Sequence, residues 1–239
     1  MFKRPFDISQ PNLSKEWLAI SNFFIDNYLS LTYNANYELD ITNHLLTRRS
    51  ESIMTLEDGI VRHCAPTLMG VKTGSLFNAC HIDRTALCRE TVDMRKMLLS
   101  LGMDIRLFFN ARKPPLVYVY RKSDLARDLT QSDNQAFMRQ YGYDNFTCKG
   151  ALSHLAGRLR AYEVGGFPHE IGLFLSYPLS DVEAFVRFGS SCSKFHGYWC
   201  VFDHEEQAKK CFAAYDRCKA ECIFRYRSGQ PIASFARAM

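Results

Sequence analysis

The sequence predicts a mixed α/β (α+β) fold, with a helical N-terminal part and a small mixed sheet of about four strands flanked by helices. Three observations predict this class: apolar residues at helical spacing in the N-terminal half, β-branched and aromatic runs between 104 and 120, and alternation of both patterns in the last third. With 239 residues, 47% of them hydrophobic, the chain can bury a sizeable core. We expect a single domain over 1–239, with a weak sub-boundary near 163–167.

The N-terminal half carries helix start and stop signals. Ser14 is a candidate N-cap for a first amphipathic helix, and a second helix is expected over 51–63. Pro66 disfavours helical conformation in the residue before it, so this helix should break there. Asp83 is the expected N-cap of the next helix, and Gly102 stands where a C-terminal glycine cap belongs.

Four short runs are expected to be strands. They span residues 104–109, 116–120, 171–175 and 198–202, and they are rich in apolar, β-branched or aromatic side chains. Polar residues between these runs predict the starts of further helices. These candidate caps are Ser123, Ser132, Ser180 and Asp203.

Net charge and cysteine content constrain the expected cellular location of the protein and the kind of partner it could bind. The formal net charge is +5, and residues 207–239 alone carry +5. This basic segment could face an anionic partner, although nucleic acid is not expected because no RNA-binding signature occurs. No apolar run is long enough for a membrane helix, and the N-terminus lacks a run of signal-peptide type. Nine cysteines without a CxxC pair predict reduced thiols, and hence a cytoplasmic protein.

Cys64 is the candidate nucleophile of a thiol hydrolase or transferase. It stands at a helix break, and a thiolate is the reactive form of cysteine. His169 directly precedes the run at 171–175, and a cysteine at a helix end followed by a histidine at a strand start is the order of papain-like thiol hydrolases. His169 would be the base, oriented by Glu170 or Asp203. The alternative is a semi-buried thiol and a histidine hydrogen-bonded at a strand edge.

Two non-catalytic functions stay open. His63, Cys64 and His169 could sense a metal, haem or redox state, or the basic C-terminal segment could serve an interaction protein. The segment 70–75 contains Gly, Lys and Thr without the spacing of a P-loop. It could be an anion-binding turn if Ser75 opens a short helix whose free N–H groups attract anions, but a plain turn is the favoured interpretation. The sequence assigns no cofactor.

Several segments together resemble a known family. They are 63–68 with Gly70 and Lys72, then 76–77, 117–121, 167–175, 177–179, 181–182 and 197–199. In this combination the chain resembles the DUF3793 family, a bacterial domain of unknown function found mostly in anaerobes, from about residue 55 to about residue 225. The resemblance implies a shared fold and draws attention to His63, Cys64, His169 and Glu170, but it implies no reaction. Ser176 departs from a Gly-rich position of the family, and Cys200 from a position where Lys is usual.

Overall fold

The computed structural model describes residues 55–237. The helix predicted to begin at Ser14 therefore lies outside the described residues. The strands are β1 (Gly74–Asn78), β2 (Met103–Phe108), β3 (Leu116–Arg121), β4 (Phe195–His196) and β5 (Cys200–Val201). The helices are α1 (Leu56–His63), α2 (Ala65–Leu68), α3 (Arg84–Ser100), α4 (Lys122–Thr130), α5 (Ser132–Arg139), α6 (Cys148–Gly165), α7 (Ile171–Phe174), α8 (Leu179–Phe188), α9 (Glu205–Arg227) and α10 (Ile232–Phe235).

A three-stranded antiparallel sheet organises this part of the chain. Its strand order is β1-β3-β2, so that β3 is central, and Tyr118 of β3 pairs with Leu76 on one side and Arg106 on the other. Every residue of β3 is buried. A strand buried along its whole length requires helices on both faces of the sheet.

The side chains of β3 alternate between two hydrophobic cores, because successive residues of a strand point to opposite faces. Val117 and Val119 belong to a core that includes residues of α1, α2, α3 and α10, here called the valine-side core. Tyr118 and Tyr120 belong to a core that includes residues of α4 to α8, here called the tyrosine-side core. The sheet therefore separates two packed layers.

The β4–β5 hairpin is attached to α8 through one buried carboxylate. Asp181 accepts a hydrogen bond from the Trp199 indole N–H at 2.7 Å and another from the Phe202 backbone N–H at 2.9 Å. The Trp199 ring then packs edge-on against Phe212 of α9, with the centroids 4.5 Å apart. The hairpin thus links α8 to the start of α9.

Several sequence predictions are confirmed. Strands β2 and β3 pair as an antiparallel hairpin, and the mixed α/β class holds. Asp83 caps α3 by accepting a hydrogen bond from the Ala86 N–H at 2.9 Å. Gly102 follows α3 with φ of +77°, a conformation that side chains with a Cβ disfavour. A break next to Pro66 is also present, but it lies at Cys64, one residue earlier than predicted, and Ala65 is already the first residue of α2.

Other predictions are wrong, and the run at 171–175 matters most. It forms the short helix α7, in which the N–H groups of Ile171, Gly172 and Leu173 donate to carbonyls three residues earlier. An apolar run this short has the same pattern in a buried strand and in a buried helix. The run is apolar because it is buried in the tyrosine-side core, and its apolar composition therefore does not indicate a strand.

The remaining corrections are local. Ser75 lies within β1, so it opens no helix. The strand expected over 198–202 is reduced to β5, and the sheets are antiparallel rather than mixed. Helices occur where Ser123, Ser132, Ser180 and Asp203 predicted them, but none of the four serves as the N-cap. Over residues 55–237, no helix is both long and apolar enough to cross a membrane.

Candidate functional site

Cys64, the predicted nucleophile, lies in the valine-side core. Its side chain is 0% exposed, and burial raises the pKa of the thiol well above its ordinary value, with nearby Lys72 acting in the opposite direction. A thiolate is the attacking form of cysteine, and this environment disfavours it.

Glu170, a predicted orienting residue, belongs to a buried ion pair. Its carboxylate is fully buried and pairs with the Arg158 guanidinium of α6 through both oxygens. The Tyr143 hydroxyl donates a further hydrogen bond at 3.2 Å. These contacts attach the segment before α7 to α6, which is a structural role.

His169 packs among aromatic rings. Its ring lies 5.6 Å from Phe167 and 5.0 Å from Phe185, centroid to centroid. Burial lowers the pKa of the imidazole to about 4, so the ring is neutral at physiological pH.

The fold brings Glu170 to the opposite side of the sheet from Cys64. Glu170 binds Tyr143 of the tyrosine-side core, whereas Cys64 belongs to the valine-side core. The catalytic roles of Cys64, His169 and Glu170 stay a prediction from the sequence, and these positions give it no support. The expected placement of His169 depended on a strand that is in fact α7.

A polar pocket lies beside the sheet, on the tyrosine side. Its volume is about 440 Å³, and it is lined by residues from the turn 70–73, from 124–134 in α4 and α5, and from 173–179 around the turn between α7 and α8. We call it the turn pocket. The anion-binding turn considered from the sequence thus lines a real cavity, although Ser75 opens no helix there.

Lys72 is the most unusual residue in the wall of the turn pocket. It is only 4% exposed, and its ammonium lies 5.2 Å from the centroid of the Tyr177 ring and 5.6 Å from that of Tyr215. No carboxylate within residues 55–237 pairs with it. Burial lowers the pKa of Lys72 to about 8, against the opposing influence of Cys64 and Cys211. A charged group in this position is held by aromatic faces alone.

Ser176 joins the two sides of the turn pocket in a strained conformation. Its hydroxyl oxygen accepts a hydrogen bond from the Thr73 N–H at 2.8 Å. Its φ is +60°, in the left-handed region that favours glycine. A glycine would adopt this backbone conformation without strain, whereas the serine adds a hydroxyl at the cost of strain.

The acidic groups of the turn pocket are already engaged. Asp124 pairs with Arg127 at 2.9 Å and with the buried Arg121 at 3.2 Å. Asp128 pairs with Arg127 at 3.4 Å and accepts the Thr73 hydroxyl hydrogen at 2.6 Å. Both carboxylates of the turn pocket are therefore paired with protein groups.

Lys72 and Ser176 supply hydrogen-bond donors that no protein group among the described residues uses. Neither the ammonium nor the backbone N–H of Lys72 donates a hydrogen bond to any residue that the structure describes. Ser176 uses its oxygen as an acceptor, which leaves its hydroxyl hydrogen to be donated. Such a set suits a ligand with negatively charged oxygens.

The sequence identified only part of this site. Gly70 and Lys72 stood in the segment considered as an anion-binding turn, and Lys72 and Tyr177 were among the residues carrying the family resemblance. Asp124, Arg127 and Ser176 gave no functional signal, because each belongs to an ordinary polar pattern until the fold brings it to Lys72.

The structure also bears on the two non-catalytic hypotheses, a metal sensor and a basic interaction surface. In the part of the chain that the structure describes, no three His, Cys, Asp or Glu side chains are grouped to hold a metal ion. Along the basic C-terminal segment, Arg225 pairs with Glu221 and Lys209 pairs with Glu205, which offsets part of its charge. An anionic partner for that segment stays a prediction.

Comparison with known proteins gives one match. The family model described as a protein of unknown function, DUF3793, matches residues 60–236. No curated protein and no solved structure matches the chain. The matched region contains the turn pocket, the tyrosine-side core and all buried members of the valine-side core except Leu56. The chain belongs to the DUF3793 family.

Proposed function

We propose that this protein binds a small anionic metabolite in the turn pocket, through a carboxylate or phosphate group. One observation carries the proposal: Lys72 is a buried cation without a carboxylate partner, in the wall of a cavity. A buried charge is costly unless it is paired, and an anionic ligand would supply the missing partner.

The pocket's other groups fit the same ligand. Its volume of about 440 Å³ falls in the range of roughly 300–1,000 Å³ that is usual for small-molecule sites. Arg127, which is 62% exposed and pairs with Asp124 and Asp128, is a second cation in the pocket lining. Ser176 and the Lys72 backbone supply neutral donors, which give an oxyanion more contacts than a single lysine could.

Titration calorimetry with malonate and with inorganic phosphate tests the proposal. A charge-assisted hydrogen bond contributes about 1.5–3 kcal/mol, so Lys72→Met should weaken binding by roughly 10- to 100-fold. Lys149→Met, which removes an exposed lysine of α6, is the matched control and should leave binding unchanged. If neither anion binds, or if both variants bind alike, the proposal is wrong.

We also propose a cytoplasmic location in a bacterial cell. All nine cysteines are unpaired thiols, as expected where glutathione or thioredoxin keeps thiols reduced. The bacterial source follows from the family that the sequence resembles. Thiol titration of the protein purified without reductant tests the redox part, and paired cysteines would contradict it.

A further inference from the structure

We propose that Lys72 is a covalent site, whose amine forms an imine with the carbonyl group of a small anionic oxo compound, such as a 2-oxo acid or an aldehyde that carries a carboxylate. This rests on the proposed function, since the anionic group must first bind in the turn pocket. It goes beyond binding because it names a reacting atom, the Lys72 Nζ, and the class of its partner.

The position of Lys72 separates it from the surface lysines. It is 96% buried yet lines a cavity that a small molecule can fill, and aromatic rings rather than carboxylates surround its amine. A protein carboxylate fixed beside the amine would keep Lys72 protonated in the free protein, and the protonated form has no lone pair. Lysines used for imine chemistry are activated in this way, by desolvation without a counter-ion.

Protonation supports the same assignment. With its pKa lowered to about 8, roughly a tenth of Lys72 is neutral at pH 7, against less than a thousandth for an ordinary lysine. The groups that face it are Tyr177, Tyr215, Cys64 and Cys211. Burial raises the pKa of both tyrosines and of Cys64, so these three stay neutral while the amine titrates.

The chemical step balances without an oxidant or reductant. The Nζ lone pair attacks the carbonyl carbon, a C–N bond forms, and the C=O π pair moves to oxygen, which takes a proton. The nitrogen then gives up one proton and the hydroxyl group takes a second one. The nitrogen lone pair forms the C=N bond as the C–O bond breaks and water leaves, and the protonated imine that results gives up the remaining nitrogen proton to become the neutral imine. The net change is amine plus carbonyl to imine plus water. Tyr177, which burial keeps protonated, lies in the same pocket wall.

Binding and bond formation support each other in this arrangement. A protonated imine keeps the positive charge of the ammonium, so the anionic group of the ligand retains its partner. Arg127 and Ser176 line the same pocket and are the further groups that we assign to the anion.

Reductive trapping with glyoxylate, which carries an aldehyde and a carboxylate, tests the assignment. The full chain is incubated with glyoxylate and cyanoborohydride, digested, and mapped by mass spectrometry for carboxymethylated lysines. We expect Lys72 to be labelled about tenfold faster than the exposed Lys149 and Lys210 at pH 7, in a reaction that malonate slows. The Lys72 rate should rise towards pH 8 and then level off, while the surface lysines continue to accelerate.

Two variants separate this inference from the proposed function. Lys72→Arg keeps the cation but cannot form an imine, so it should still bind malonate and should lose the preferred label. Lys72→Met should lose both. If the wild-type protein binds malonate but Lys72 is labelled no faster than Lys149, the imine is refuted and the binding site stands. If malonate does not bind and Lys72 is not preferred, both proposals fail.

Discussion

Replacing Arg158 by leucine should destabilise the protein strongly, because it leaves the Glu170 carboxylate buried without its cation. Glu170 is 0% exposed, and Arg158 reaches both of its oxygens. Breaking a buried pair from one side costs about 3–5 kcal/mol. We expect the lower end, about 3 kcal/mol, because Arg158 is 34% exposed and the Tyr143 hydroxyl still donates to the carboxylate.

The assay is equilibrium unfolding in urea, with the thermal midpoint as a second readout. A loss of about 3 kcal/mol lowers the midpoint by roughly 6–12 °C for a chain of this size. Arg160→Leu, at an exposed position of the same helix, is the matched control and should change stability by less than about 0.5 kcal/mol.

A double variant completes the test. Arg158→Leu combined with Glu170→Gln removes both charges, so it should recover a large part of the stability that Arg158→Leu loses. If Arg158→Leu is as stable as Arg160→Leu, Glu170 does not depend on this pair, and its structural role is refuted. A catalytic role for Glu170 would then deserve a new test.

Three further predictions concern backbone and protonation. Gly74→Ala should lower the free energy of unfolding by more than about 2 kcal/mol, because the added Cβ would lie 2.5 Å from the Tyr118 hydroxyl and 2.6 Å from the Phe174 carbonyl oxygen. Gly157→Ala, which has open space around it, is the control and should stabilise α6 by up to about 1 kcal/mol in the same urea assay. Burial lowers the pKa of His63 to about 4, so below about pH 6.5 the unfolded chain binds a proton that the folded chain does not bind, and stability falls. His63→Phe should therefore reduce the loss of stability between pH 7 and pH 5 by about 2 kcal/mol, and an unchanged loss would contradict this. Burial lowers the pKa of Lys72 to about 8, so the stability of the wild type relative to Lys72→Met should increase by about 2 kcal/mol between pH 8 and pH 10, because the buried thiols and tyrosines titrate alike in both proteins; urea titrations that show a constant difference would contradict this.

Local signals explain the parts of the fold that the sequence predicted. Asp83 and Gly102 delimit α3 because a cap and a left-handed glycine act within one helical turn. The strands around 104–109 and 116–120 were recognisable because their composition and the prolines between them are local properties too.

The run Ile171–Phe174 shows that local sequence signals do not distinguish a short buried helix from a short buried strand. The run is apolar because it is buried on all sides, and neither a helical nor a strand period can be read from so few residues. The prediction that His169 begins a strand failed for this reason, and the expected arrangement of a thiol hydrolase had depended on it.

The sequence by itself determined the mixed α/β class, the main helices and strands, the DUF3793 family and a turn rich in Gly, Lys and Thr. Only the tertiary structure decided that Cys64 is enclosed in one core and Glu170 paired in the other, and that Lys72 meets Tyr177, Ser176 and Arg127 in one pocket. The physical reason is that backbone preferences act between near neighbours in the chain. Burial, and the protonation that follows from it, depends on segments a hundred residues apart.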